Sequence, residues 1–71
     1  MEIYLELENK FGSFRGKVVD LDEVSYKKLN DMVKTFYTSG GFELTLEDGT
    51  FVVFPPQIVQ ESILKVKLNG V

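Results

Sequence analysis

Phe42-Glu43-Leu44-Thr45-Leu46-Glu47-Asp48-Gly49-Thr50-Phe51-Val52-Val53-Phe54-Pro55-Pro56 is the run whose reading decides the fold class. Phe42, Leu44 and Leu46 alternate with Glu43, Thr45 and Glu47, the two-residue period of a strand with one buried face. Asp48-Gly49 is the dipeptide that suits a tight type I′ hairpin turn, and Phe51 to Phe54 is the returning strand. That strand is apolar on both faces, so it is either central and covered or presents Val52 or Phe54 to a partner. Pro55-Pro56 ends it, because proline has no N–H to give to a ladder.

Upstream of the hairpin the period changes. Leu29, Met32, Val33 and Phe36 recur at i, i+3, i+4 and i+7, which predicts a helix from Asp22 to Thr38. Asp20 with Glu23 can form a capping box, Asp22 or Ser25 can cap instead, and Ser39-Gly40-Gly41 supplies a left-handed stop. Before the helix, Ile3, Leu5 and Leu7 alternate with Glu2, Tyr4, Glu6 and Glu8, and a turn at Gly12-Ser13 leads into a second strand, Phe14 to Val19. Downstream, Ser62 to Leu68 sets Leu64, Val66 and Leu68 on one face and Ile63, Lys65 and Lys67 on the other, a fifth strand.

The order ββαβββ predicts an α+β domain with one helix packed on one face of a mostly antiparallel five-stranded sheet. In that arrangement Leu29, Met32, Val33 and Phe36 pack on Ile3, Leu5, Leu44, Leu46, Val66 and Leu68. Seventy-one residues have room for a single domain, 1–71. A core of that size supplies about 3 to 5 kcal/mol of net stability, and no cysteine is present to add a disulfide. Together with the surplus apolar surface of Phe51 to Phe54, this predicts self-association as a twofold homodimer. The absence of cysteine and of any long apolar run predicts a cytoplasmic protein with no membrane segment.

With no histidine and no cysteine, the commonest general base, the thiolate nucleophile and the usual zinc ligands are missing. No glycine-rich phosphate loop or nucleophile elbow is present either, so the expectation is a protein without catalytic residues, cofactor or metal. Asp20, Asp22 and Glu23 form the one tight acidic cluster; oxygen ligands so close can hold magnesium or calcium, but helix capping accounts for all three without a metal and is the expectation. A net charge of −3 argues against direct binding of nucleic acid and towards a protein partner. Glu2, Glu6, Glu8, Glu43 and Glu47 fall on the predicted outer sheet face, where alternate strand residues stand about 7 Å apart. Such rows can imitate phosphates, or they are the polar face that any half-exposed strand shows, with Lys65 and Lys67 neutralising part of it. Tyr4 and Ile63, interleaved among these charges, favour a protein-binding face.

The stretch Val59-Gln60-Glu61-Ser62-Ile63-Leu64 resembles the signature strand of the phage uracil-DNA glycosylase inhibitors over six residues. In that family the polar trio takes places that DNA would occupy in the enzyme's groove, and an apolar pocket between helix and sheet receives a protruding leucine. The resemblance implies partner contact by Gln60, Glu61 and Ser62, with Ile63 and Leu64 anchoring the strand. That family carries the run near its N-terminus between two helices, whereas here it is C-terminal and follows Pro55-Pro56. Two function classes follow. The first is a phage or mobile-element inhibitor of a host DNA-binding or defence enzyme, acting as a DNA mimic, with Gln60, Glu61, Ser62, Ile63, Leu64, Tyr4, Glu6 and Glu43 as partner-binding residues. The second is a structural or assembly subunit that self-associates through its sheet.

Overall fold

The alternation in the first nine residues produces the longest strand, β1 (Glu2–Asn9), and the other elements are arranged around it. The computed structural model describes residues 1–21, 23–38 and 40–70, with backbone alone for 23–25. β2 (Gly12–Arg15) and β3 (Val19–Asp20) pair antiparallel with β1. So does the last strand, β6 (Ile63–Leu68). Asn69 donates to the Glu2 carbonyl, while Gly16 and Leu21 donate to those of Leu5 and Met1. Even-numbered β1 residues therefore bond to β6 and odd-numbered ones to β2 and β3, which share one edge of β1. The inner face is three apolar rows: Leu64, Leu7 and Phe14; Val66 and Leu5; and Leu68, Ile3 and Val19.

The expected unbroken strand from Phe14 to Val19 is instead two strands, and the break divides the sheet. β1 pairs Leu7 with Phe14 but Ile3 with Val19, so the register slips by one residue across residues 16–18. Such a β-bulge bends the strand. At the bend Gly16 bridges to Leu46, and Lys17 donates its N–H to the Thr45 carbonyl at 2.8 Å. The hairpin of β4 (Phe42–Thr45) and β5 (Phe51–Phe54) thus forms a separate two-stranded sheet, not part of one five-stranded sheet. Gly16 makes the junction possible: a Cβ there would lie 2.8 Å from Leu44 Cδ1 and 3.0 Å from the Leu5 carbonyl.

The Asp48-Gly49 turn also differs from the two-residue form expected. Gly49 donates to Leu46, Leu46 donates to Thr50, and only Gly49 of the loop has a left-handed φ, +88°. A type I′ turn needs positive φ at both central residues, so this is the three-residue loop with glycine in the left-handed position. Asp48 favours it by accepting the Thr50 N–H at 2.8 Å, which holds its carboxyl below the usual carboxylate range.

The predicted helix forms as α1 (Glu23–Lys34), followed by a 3-10 turn at Phe36–Thr38. Thr35 closes α1 by bonding back to the Asp31 and Met32 carbonyls, and the tighter turn delivers Phe36 into the core. Asp22 and Ser39, and the side chains of Glu23 and Ser25, lie outside what is described, and with them their capping and stop roles. Asp20 is in β3, with its carboxylate 3.3 Å from the Met1 ammonium. Leu29, Met32 and Val33 are only half-buried, and Val66 and Leu68, expected beneath the helix, are exposed. The buried cluster on Leu7 is instead built from the hairpin, Phe36 and Val59.

A second helix, α2 (Pro56–Gln60), occupies the run expected to be a break followed by the fifth strand. Pro56 sits at the first helical positions, where its missing N–H is harmless and its fixed φ is helical already. α2 plugs the core with Val59. Leu7, Phe36, Leu44, Phe54 and Val59 make up the buried cluster, surrounded by Phe14, Phe42, Ile58, Leu64 and other half-buried side chains. Phe14 meets Phe54, and Phe42 meets Phe36, edge to face at 5.1 and 5.0 Å. Among the described residues no helix is long and apolar enough to cross a membrane.

Candidate functional site

The outer face of β1 and β6 carries the carboxylates that could imitate phosphates, and the pairing register places lysines among them. Glu6 stands opposite Lys65 and lies 4.0 Å from its ammonium and 3.6 Å from that of Lys67. Glu8 accepts a 2.7 Å hydrogen bond from Lys65, which lowers the Glu8 carboxyl below its ordinary range and raises Lys65 above that of a free lysine. Arg15 stacks its guanidinium 4.1 Å over the Tyr4 ring and pairs with Glu47 at 2.6 Å. This face is a lattice of both charge signs.

The residues singled out for partner contact do not converge. Tyr4, Glu6 and Ile63 share the outer face of the main sheet, with Ile63 exposed beside Glu8. Glu43 is exposed on the separate hairpin, opposite Val53. Gln60 ends α2, and Glu61 lies in the following turn, 3.4 Å from Lys10. Leu64 faces inward against Leu7.

Ser62 is corrected from a surface contact to a structural residue, for it is 3% exposed. Its hydroxyl donates to the Ile58 carbonyl and accepts from the Asn9 amide, and its carbonyl accepts from the Tyr37 hydroxyl at 2.7 Å. Buried polar groups so satisfied tie the C-terminus of α2 to β1 and to the 3-10 turn. The six-residue run thus changes from helix to turn to strand within its length.

A different place is open to a partner. Where β4 leaves the bulge, a cleft of about 410 Å³ opens between the two sheets, lined by Leu5, Gly16, Lys17, Val19, Glu43, Leu44 and Thr45. Leu5, Val19 and Leu44 are the apolar side chains of that lining, and Lys17 and Glu43 its charged residues. A smaller cleft of about 190 Å³ lies between α1 and Val66, lined by Tyr26, Leu29, Asn30 and Val33. Of these lining residues, sequence reasoning had marked Glu43 alone. Alternation assigned Val66 to a covered face, Val19 was read only as the end of a strand, and no local pattern marks where the cover ends. No group of three carboxylates able to hold a metal ion occurs among the described residues.

No protein-family model matches the chain, and neither does any curated protein or solved structure.

Proposed function

We propose that this protein is a non-catalytic binding module that seats an apolar side chain of a partner protein in the cleft between its two sheets. The cleft itself supports this reading: its lining combines apolar Leu5, Val19 and Leu44 with one lysine and one glutamate. Concave apolar sites with a few charged groups bind by burial and are oriented by the charges. A partner segment with an apolar residue flanked by an acidic and a basic one fits Lys17 and Glu43.

The inhibitor role implied by the resemblance is one form of this reading, in which a host enzyme is blocked by being held. Gln60 and Glu61 are exposed and could contribute to such a contact. The carboxylate row does not carry it, because lysines stand among the carboxylates.

Parallel affinity capture with the wild-type chain and with Val19→Glu tests the binding reading. Val19 is exposed, so the substitution should leave folding intact. A protein retained by the wild type and lost with Val19→Glu supports the cleft, and identical retention by both overturns it. Uracil excision by uracil-DNA glycosylase, measured with a large molar excess of this protein, tests the sharper target. Unchanged excision removes that target alone.

A further inference from the structure

Two of the open sheet edges among the described residues, those of β5 and β6, are built differently. Leu46 donates its N–H to the Thr50 carbonyl, which sets the phase of the β4–β5 ladder: Leu44 with Val52 and Phe42 with Phe54 are the hydrogen-bonded pairs. Phe51 and Val53 therefore direct their N–H and C=O groups away from β4, along an edge where no other described strand lies. Their side chains, 59% and 63% exposed, stand on the outer face of the same hairpin. Residues 50–54 carry no charge.

At the other edge, Asn69 bonding to Glu2 sets the phase so that Leu64, Val66 and Leu68 direct their backbone groups outward. A second copy pairing antiparallel there, centred on Val66 to use all three residues, would set Lys65 opposite the other Lys67. Like charges directly opposite destabilise a strand pair, and edge lysines are the usual guard against such pairing. β5 has no such guard.

We infer that two copies of this chain associate by antiparallel pairing of β5 with β5, about a twofold axis through Val52. Three registers place outward-directed residues opposite one another. Centring on Phe51 sets Val53 against Gly49, which lies in the turn with a left-handed φ. Centring on Val53 sets Phe51 against Pro55, which has no N–H. Centring on Val52 sets Phe51 against Val53 in both directions, so every outward backbone group of the two residues is bonded and the two exposed apolar side chains cover each other. On the inner face the same register brings Val52 against Val52, beside Phe54, which extends the apolar layer of each copy. Glu43 neighbours Val53 on its own hairpin and meets no acidic residue across the axis. A contact this short belongs with the small, reversible interfaces, so dimerisation in the micromolar range is expected.

Sedimentation equilibrium from about 10 µM to about 1 mM tests this, with Val53→Lys alongside. The wild type should pass from monomer to dimer, and Val53→Lys should weaken the dimer about 100-fold with an unchanged circular dichroism spectrum. A second measurement does not depend on that variant. In the chain, which has no cysteine of its own, Val52→Cys faces its copy across the axis in a non-hydrogen-bonded pair, with Cα atoms about 4.5 Å apart, within disulfide reach. Oxidation should link Val52→Cys into dimers and leave Ile63→Cys, exposed on the other sheet, largely unlinked. A wild type that stays monomeric to about 1 mM, a dimer that survives Val53→Lys, or equal linking of the two cysteine variants overturns the proposal.

Discussion

Leu7 and Ile3 lie on the same face of β1, both almost fully buried, yet their surroundings differ. Leu7 has Phe14 and Leu64 beside it and belongs to the cluster closed by Phe36, Phe54 and Val59. Ile3 lies outside that cluster, and the residues paired with it, Val19 and Leu68, are exposed. One strand thus runs from a closed end of the core to an open one. The cluster around Leu7 takes its cover from the hairpin, which joins the main sheet at Gly16, and it ends before the apolar alternation does.

The sharpest way to break that comparison is to truncate one residue at each end. Phe36→Ala empties a wholly buried aromatic site at the closed end and should cost about 3 to 5 kcal/mol, enough to unfold much of so small a domain. Leu68→Ala removes a side chain that is 56% exposed and should change stability by only about 0.5 kcal/mol. Urea denaturation of the two variants measures both, and equal losses would abolish the distinction between the ends.

Gly16→Ala tests the junction of the two sheets. The added methyl meets Leu44 Cδ1, which can rotate away, and the Leu5 carbonyl, which cannot, so a loss of about 1 to 3 kcal/mol is expected. Faster amide exchange at Lys17, whose bond to Thr45 joins the sheets, should accompany it. Ser62→Ala acts at the closed end through hydrogen bonding instead of volume. It leaves the Asn9 amide without that acceptor and the Ile58 carbonyl without that donor, for an expected loss of about 1 to 2 kcal/mol in thermal or urea unfolding.

The smallest effect belongs to the charged outer face. Glu8 has a lowered pKa through Lys65, so its contribution is present above the ordinary carboxylate range and is lost as pH falls through the depressed value. Lys65 has a raised pKa through Glu8, so its contribution is present below the ordinary lysine value and is lost as pH rises through the raised one. Stability should therefore be level from the carboxylate range up to the lysine range as far as this pair is concerned. Glu8→Gln should flatten the acid limb of a plot of urea midpoint against pH. The pair is solvent-exposed, so the change should be slight and should shrink further in salt.

Most elements were legible because each rests on a local period. β1, β4 and β6 follow from alternation, β5 from an apolar run between the Asp48-Gly49 turn and Pro55, and α1 from the spacing of Leu29, Met32, Val33 and Phe36. Pro55-Pro56 was read as a stop alone, yet proline at a helix start is favoured, and Ile58 and Val59 then supply the apolar side of α2. The strand from Phe14 to Val19 shows no local reason to break. Nor does alternation say whether Phe51 and Val53, or Val52 and Phe54, face inward.

The candidate site was less legible than the fold. The eight expected contacts were chosen for charge, exposure and one short resemblance, and they are spread over two sheets, a helix end and the core. The cleft is lined from both sheets, by Gly16, Leu44 and Val19 among others, from distant parts of the chain.

By itself, the sequence determined where most strands and the main helix lie, which residues alternate onto a common face, and that the chain contains no histidine or cysteine. Those are properties of near neighbours and of composition. Only the tertiary structure decided that the sheet divides in two, that Ser62 is buried, which outer carboxylates Lys65 and Lys67 pair with, and that β5 is an edge. Each of these depends on pairing between residues far apart in the chain. The energy that selects such pairings, the close approach at Gly16 and the burial of Phe36 and Phe54, exists only once those residues have met.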